Sequence, residues 1–324
     1  MLSRVLHTNK FPVYKTNSTE DSKTYEKINK NPHEEYQYLN LISDVLDHGS
    51  LEQGRNGLTK SLFGSVMQFD LIDNKIPILT TKKVAWRTCL KELLWFISGN
   101  TDNRVLQQQK VSIWNDNSSR DFLDTVGLVN YKENDLGPIY GFQWRHFNAE
   151  YRDYETDYTG KGIDQLQKVI DVLKSGDPRV RNSRRLIISA WNPCQLGEMA
   201  LPPCHVLMQF NVSNDGRELH CSLYQRSGDI GLGVPFNIAS YSFLTHLMAH
   251  HCGLRAKEFV YYLGNAHIYD DHFKQLREQL KNEPYKFPII DIKEKRENID
   301  DYVFEDFQIN DYKHHDTIKM TMRA

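Results

Sequence analysis

The chain has no apolar run approaching a membrane span, no secretory hydrophobic leader and no C-x-x-C pair. Spanning a bilayer takes about 20 apolar residues in a row, so a transmembrane protein is not expected. Its cysteines, Cys89, Cys194, Cys204, Cys221 and Cys252, are odd in number, which predicts reduced thiols in an intracellular, cytoplasmic setting, with nuclear or organellar import left open. Neither sign of charge dominates. The 40 Lys and Arg against 42 Asp and Glu leave a net charge of −2, so any anion site has to be a local cluster. No internal repeat is evident, and after residue 35 no Gly/Ser linker divides the chain. Residues 1 to 19 lack an acidic residue and faintly resemble an organelle presequence. The polar composition of residues 1 to 34 predicts instead a flexible extension, leaving 35 to 324 as a single domain.

What is present centres on Leu201-Pro202-Pro203-Cys204-His205, followed by the apolar run Val206-Leu207-Met208. Two prolines stiffen the backbone and remove two donors, which places Cys204 at the mouth of a strand. Most lone cysteines are small buried hydrophobes. Against that reading stands Tyr224-Gln225-Arg226-Ser227-Gly228-Asp229, which sets a cation where the partner strand should end; a nearby Arg stabilises a thiolate, and the thiolate is the nucleophile. Asn214-Asp215-Gly216 is a hairpin signal, and an antiparallel pair around it brings Cys204 and Arg226 to the same end.

Elsewhere, helical periodicity runs through Tyr38, Leu41, Ile42 and Val45, closed by Gly49, and then gives way to the loop signal Gly54-Arg55-Asn56-Gly57. Short strands are expected from Phe63 to Ile72 and from Ile76 to Leu79. Leu90, Leu93, Leu94 and Ile97 form the apolar stripe of a helix stopped by Gly99. Glu92 lies beside that stripe. On a surface it is an ordinary charge; lodged among Leu93, Trp95 and Phe96 it would have a raised pKa and a transferable proton, and these alternatives stay open. Residues 111 to 145, including Ile113-Trp114 and Gly137 to Arg145, read as an aromatic loop lining either a ligand or the core. A further helix is expected over Ile163, Leu166, Ile170 and Leu173, stopped by Gly176-Asp177-Pro178.

The cluster Arg179-Val180-Arg181-Asn182-Ser183-Arg184-Arg185 runs into a strand at Leu186 to Ala190. A solvated face and nucleic-acid binding are both open; a small polyanion is the sharper expectation. After three glycines between 228 and 233, a helix should follow Pro235 with Asn237 in its first turn, as a cap or a ligand, and end at Gly253. The strand Phe259 to Leu263 then delivers His267 and Tyr269, either packing residues or hydrogen-bonding groups for one sugar hydroxyl, opening a last long helix.

Taken together and in order, Leu201 to His205, Tyr224 to Asp229, Gly231 to Tyr241, His267-Ile268-Tyr269 and Glu92 to Phe96 resemble the thymidylate synthase family from about residue 35 to the C-terminus. The resemblance implies an α+β fold, a large mixed or antiparallel sheet packed with helices, one sheet face being used for homodimerisation. It implies reductive methylation of dUMP to dTMP with 5,10-methylenetetrahydrofolate as carbon donor and reductant, giving dihydrofolate, with no metal. Cys204 would add to C6 of the uracil. Glu92, Tyr140, Arg226, Asn237 and Asp229 would join it in catalysis. Arg55, Arg226, Ser227 and, from the second subunit, Arg184 and Arg185 would hold the phosphate. His205, Gln225, Gly228, Asp229 and Asn237 would line the base, and His267 and Tyr269 the ribose. Ile113, Trp114, Asp229, Gly233 and Phe236 would meet the folate, with Arg323 and Ala324 in a C-terminal segment that closes over it. Within residues 1 to 34 no fused dihydrofolate reductase domain is expected.

The sequence departs from the family pattern at Asn56 to Lys60, at Ala85, at Asn265 and Asp271 (usually Asp and Asn), and at Arg323, normally a small residue. These bear on folate affinity and lid closure. A hydroxymethylase of the same fold, adding water in place of hydride, is the nearest rival. A Cys/His hydrolase is disfavoured because Cys204 and His205, as strand neighbours, point to opposite faces. A zinc site of Cys194, Cys204, His205 and Cys221 lacks ligand spacing. RNA binding by the arginine cluster is left open as a side activity.

Overall fold

The computed structural model of the chain describes residues 33–54, 56–213 and 216–323. Helix α1, Tyr36–His48, buries Tyr38, Leu39, Leu41, Ile42, Val45 and Leu46, one stripe at helical spacing. A hairpin follows, β1 (Ser50–Gly54) with β2 (Gly57–Asp70), whose last pair is Gly54 with Gly57. Helix α2, Trp86–Ile97, carries the expected apolar stripe and ends beside Gly99 at φ +70°. The short helices α3 (Asn103–Gln108), α4 (Arg120–Thr125), α5 (Tyr140–His146), α6 (Gln165–Leu173) and α7 (Pro178–Arg181) cover the middle of the chain. Then come β3 (Ile187–Ser189), β4 (His205–Ser213), β5 (Glu218–Asp229), α8 (Gly233–Cys252), β6 (Arg255–Tyr269) and α9 (Phe273–Gln279). A small antiparallel ribbon of β7 (Ile289–Ile292) and β8 (Phe307–Asn310) precedes the C-terminal segment.

The main sheet is mixed, in the order β1-β2-β6-β5-β4-β3. Only β5 and β6 run parallel, and parallel neighbours need a long crossover. Helix α8 is that crossover: 17 of its 20 residues are buried, so it is enclosed on every side, and Gly253 in the left-handed region ends it. On the other sheet face Ile187, Tyr224 and Tyr262 are exposed, with Tyr224 opposite Tyr262. The expected α+β class and mixed sheet are what is observed. Among the described residues no helix is long and apolar enough to cross a membrane.

Several local expectations are corrected. Ile76 to Leu79 is a buried irregular stretch, because Pro77 has no N–H for a ladder and the Ile76 carbonyl turns to accept from the Ile78 N–H. Residues 111 to 145 contain α4, capped by the Ser119 hydroxyl on the Phe122 N–H, and the start of α5. Ile163 lies outside α6 and is exposed, bridged to Phe147. No long helix follows His267: β6 runs on to Tyr269, and α9 is only seven residues. The strand expected over Phe259 to Leu263 runs on through Gly264, where a Cβ would come within 2.7 Å of the Arg226 carbonyl, so the glycine serves close packing inside β6. Residues 214 and 215 of the hairpin signal lie outside the described residues; Ser213 does pair with Glu218.

Candidate active site

Strand registers bring the chemistry to one end of the sheet. His205 pairs with Gln225, Asp229 with His267, and Tyr269 with Thr59. The starts of β2 and β4 and the ends of β5 and β6 therefore share an edge, and α8 begins there too.

Cys204 is half-buried immediately before β4. Its N–H donates to the Tyr140 hydroxyl at 2.8 Å, and its carbonyl accepts from the Arg226 N–H at 2.9 Å. The Arg226 side chain grips the preceding residues, with Nε on the Pro203 carbonyl and a terminal nitrogen on the Pro202 carbonyl, each at 2.9 Å. The guanidinium also lies 5.6 Å from the Trp191 ring centre. Cys204 is thereby positioned from both sides, with a permanent cation beside it.

Glu92 faces this group from α2 and is buried. Burial raises its pKa to about 7, against a lowering hydrogen bond from Trp114 Nε1 at 2.7 Å. The reading of Glu92 as a surface charge is thus excluded, and it can hold or release a proton near neutrality. Tyr140 opens α5 at φ +21°, its ring 4.9 Å from Phe96 and 5.9 Å from Trp114. Burial raises its pKa, as does the neighbouring Cys204, so the hydroxyl stays protonated. His205 lies between the rings of Tyr140 and Tyr241, at 5.1 and 5.2 Å. Burial pushes its pKa down to about 4, and its Nδ1 is buried without a hydrogen-bond partner. With so low a pKa the imidazole is too weak a proton acceptor to serve as the base of a Cys/His hydrolase, and its stacking between two tyrosines agrees with the opposite facing that its strand position implied. Asn237 completes this side; α8 begins at Gly233 and not after Pro235, so Asn237 lies buried past the first turn and is not the cap.

Along β5, Gln225 is buried, accepting from the Tyr261 hydroxyl at 2.6 Å and donating to the Ser227 carbonyl at 2.8 Å. Ser227 and Gly228 pair with Asn265 and Ala266. A Cβ on Gly228 would lie 2.8 Å from the Leu263 side chain and 3.0 Å from that of Val234, so any larger residue would push these two methyl groups aside. Asp229 accepts from the Gly231 N–H at 2.8 Å. His267 Nδ1 lies 3.0 Å from the Asn265 side-chain oxygen, its ring 5.4 Å from Tyr269; burial lowers its pKa. Gly233 opens α8, and Phe236 and Ile113 pack half-buried against the core.

Three residues here were not singled out in the sequence. Trp191 lies under Arg226. Lys82 is buried and donates to the Gly231 carbonyl; burial lowers its pKa to about 8 against the pull of Asp229. His272, fully buried, sits 3.8 Å from Asp229. Burial works against its charge, yet the Asp229 carboxylate outweighs this and its pKa is raised. A buried cation-capable pair around Asp229 could have been sought from Thr80-Thr81-Lys82, a polar run with no turn chemistry.

Arg184 and Arg185 are not brought to the site. They are exposed ahead of β3, where Leu186 bonds Phe210, six residues along β4 from Cys204, or roughly 20 Å at the rise of a strand. Arg55 and Ala324 lie outside the described residues. Among the described residues no group of three or more His, Cys, Asp or Glu could hold a metal ion.

The thymidylate synthase family model matches residues 36–324. The chain is 53% identical over 292 residues to the thymidylate synthase of Homo sapiens, covering 90% of this chain and 91% of that one. It is 50% identical over 291 residues to the bifunctional dihydrofolate reductase-thymidylate synthase of Leishmania major, and 51% identical over 305 residues to that of Zea mays. These alignments take in 90% and 94% of this chain but 55% and 57% of the bifunctional proteins, so the chain spans little more than half the length of those curated relatives.

Proposed function

Because the chain belongs to the thymidylate synthase family, we propose that it methylates dUMP to dTMP, with 5,10-methylenetetrahydrofolate as co-substrate and dihydrofolate as second product. The observation that carries this is Cys204, pinned by Tyr140 and Arg226 and faced by the proton-carrying Glu92. Uracil C5 is a weak nucleophile. Addition of the Cys204 thiolate to C6 makes C5 part of an enolate, which can take a one-carbon unit; loss of the C5 proton and, once that unit is reduced, expulsion of the thiolate restore the C5=C6 double bond. When bound, the folate supplies both that carbon and the hydride that reduces it to methyl.

The chain's own groups cover the remaining needs. Arg226 keeps the thiolate ionised. Glu92 delivers a proton as charge develops on the pyrimidine O4, and Tyr140, holding the Cys204 backbone, addresses the C5 proton. Asn237 offers one donor and one acceptor to uracil O4 and N3–H, and the unpaired Nδ1 of His205 adds a buried polar atom for the nucleotide pocket. His267 and Tyr269, two apart on β6, face the ribose. Gln225, Ser227, Gly228 and Asp229 line the nucleotide along β5. Trp114, Ile113, Asp229, Gly233 and Phe236 fit a flat pterin, aromatic and apolar surface with one carboxylate; Arg323 and Ala324 end the segment that covers it.

The phosphate clamp would be Arg226, Ser227 and Arg55, with Arg184 and Arg185 from a second copy. Two features support a homodimer: the distance of Arg184 and Arg185 from Cys204 within one chain, and the exposed aromatic sheet face of Ile187, Tyr224 and Tyr262. The arginine cluster is assigned to this phosphate rather than to RNA. Incubation with dUMP and methylenetetrahydrofolate should yield dTMP and dihydrofolate in equal amounts. Hydroxymethyl-dUMP with tetrahydrofolate would establish the hydroxymethylase instead.

A further inference from the structure

The segment after β8 is tied down by Tyr312 and His315 and crosses back over the site edge, where its last residues are held at three places. Met320 is half-buried against the core and approaches Gly231, where a Cβ would lie 3.1 Å from its sulfur. The Thr321 carbonyl accepts from His272 Nε2 at 2.8 Å. The Arg323 guanidinium reaches the Asp271 carboxylate at 3.1 Å and that of Asp270 at 3.7 Å. It also sits 5.9 Å from the Tyr269 ring centre and near Gly57, where a Cβ would be 3.6 Å away. One side chain thus joins the β1–β2 turn, the end of β6 that carries Tyr269, and the chain terminus. Arg323 and Asp271 are both positions where this sequence departs from the family pattern, and the fold places the two departures in contact.

We propose that Arg323 and the Asp270–Asp271 carboxylates form a latch that holds the C-terminal strap against the site and sets how readily it opens for the folate. The part concerning the folate rests on the strap covering that co-substrate, as proposed above. The first two anchors are a packed thioether and a hydrogen bond from the fully buried His272, which salt reaches little, whereas the third is a half-exposed ion pair that salt screens. Arg323 is therefore a positioning residue whose contribution can be separated from theirs. An exposed pair of this kind shifts an opening equilibrium by roughly two- to fivefold.

The test is native-state trypsin cleavage after Lys319, an exposed residue of the strap, followed by mass detection of the released C-terminal peptide. Arg323→Ala and the double variant Asp270→Asn/Asp271→Asn should each be cut about two- to fivefold faster. The triple combination should be no faster than the Asp270→Asn/Asp271→Asn variant, which already lacks the Arg323 contact and whose Asp271 also lies 3.9 Å from His272. Added salt should accelerate cleavage of the unaltered chain and bring it toward the variants. Unchanged rates, additive effects or salt-independent cleavage would overturn the latch. In steady-state assays the KM for methylenetetrahydrofolate should rise with the cleavage rate in the Asp270→Asn/Asp271→Asn variant, with kcat moving less; an unmoved KM would overturn the coupling to the folate. Should the unaltered chain form no dTMP, the proposed function falls, and the cleavage rates alone decide the latch.

Discussion

Replacing Glu92 by Gln should cost activity and raise stability, by an amount that depends on pH. Burial lifts the Glu92 carboxyl from an ordinary 4.5 to about 7, so the folded protein binds this proton more tightly than the unfolded chain does. The carboxyl therefore costs little at low pH, and its cost grows as the pH rises from 4.5 to 7 and is complete above that. At about 1.4 kcal/mol per pKa unit, the full cost is about 3 kcal/mol at pH 8 and under about 1 kcal/mol at pH 5. Gln is neutral throughout, and its side-chain oxygen can still accept from Trp114 Nε1, so the variant escapes the cost without losing the bond. For a chain of this size the melting midpoint should exceed that of the unaltered protein by about 5 °C at pH 8 and about 1 °C at pH 5. The same substitution removes the transferable proton and should lower kcat by about 10² to 10⁴. Paired thermal melts at matched protein concentration supply the test. Equal midpoints at pH 8, or a gap that does not narrow toward pH 5, would show that the carboxyl is not held out of water as described.

Other expectations are as direct. Cys204→Ser should abolish dTMP formation while equilibrium dialysis still detects dUMP binding. Tyr140→Phe removes the acceptor of the Cys204 N–H; it should destabilise the fold by about 1 to 3 kcal/mol and lower kcat by about 10² or more, as read from melts and turnover assays. Asn237→Asp presents an acceptor where a donor stood, so competition assays should show preference moving from dUMP toward dCMP.

How much of this was legible in the sequence varied with the distance over which each feature is determined. The approach of Cys204 to Arg226 follows from hairpin geometry, a local matter, and the observed register brings them together. For Glu92 the apolar neighbours on α2 were visible, but whether they faced solvent was not; that is settled by Trp114, 22 positions away. The end of β6 was misplaced because Gly264 reads as a break unless one knows that the Arg226 carbonyl lies against it. Lys82 carries no local signal, since its burial depends on the Gly231 carbonyl 149 positions along the chain. The two departures at Asp271 and Arg323 were each visible singly, and only the fold pairs them.

The central claim, a temporary bond from the Cys204 sulfur to C6 of the pyrimidine, can be tested with 5-fluoro-dUMP and methylenetetrahydrofolate. Fluorine at C5 cannot leave as a proton does, so the adduct should stall. Digestion and mass measurement should then find the peptide containing Cys204 heavier by one nucleotide and one folate, and the adduct should be absent from Cys204→Ser. An unmodified Cys204 peptide from protein that nonetheless turns over dUMP would contradict the account.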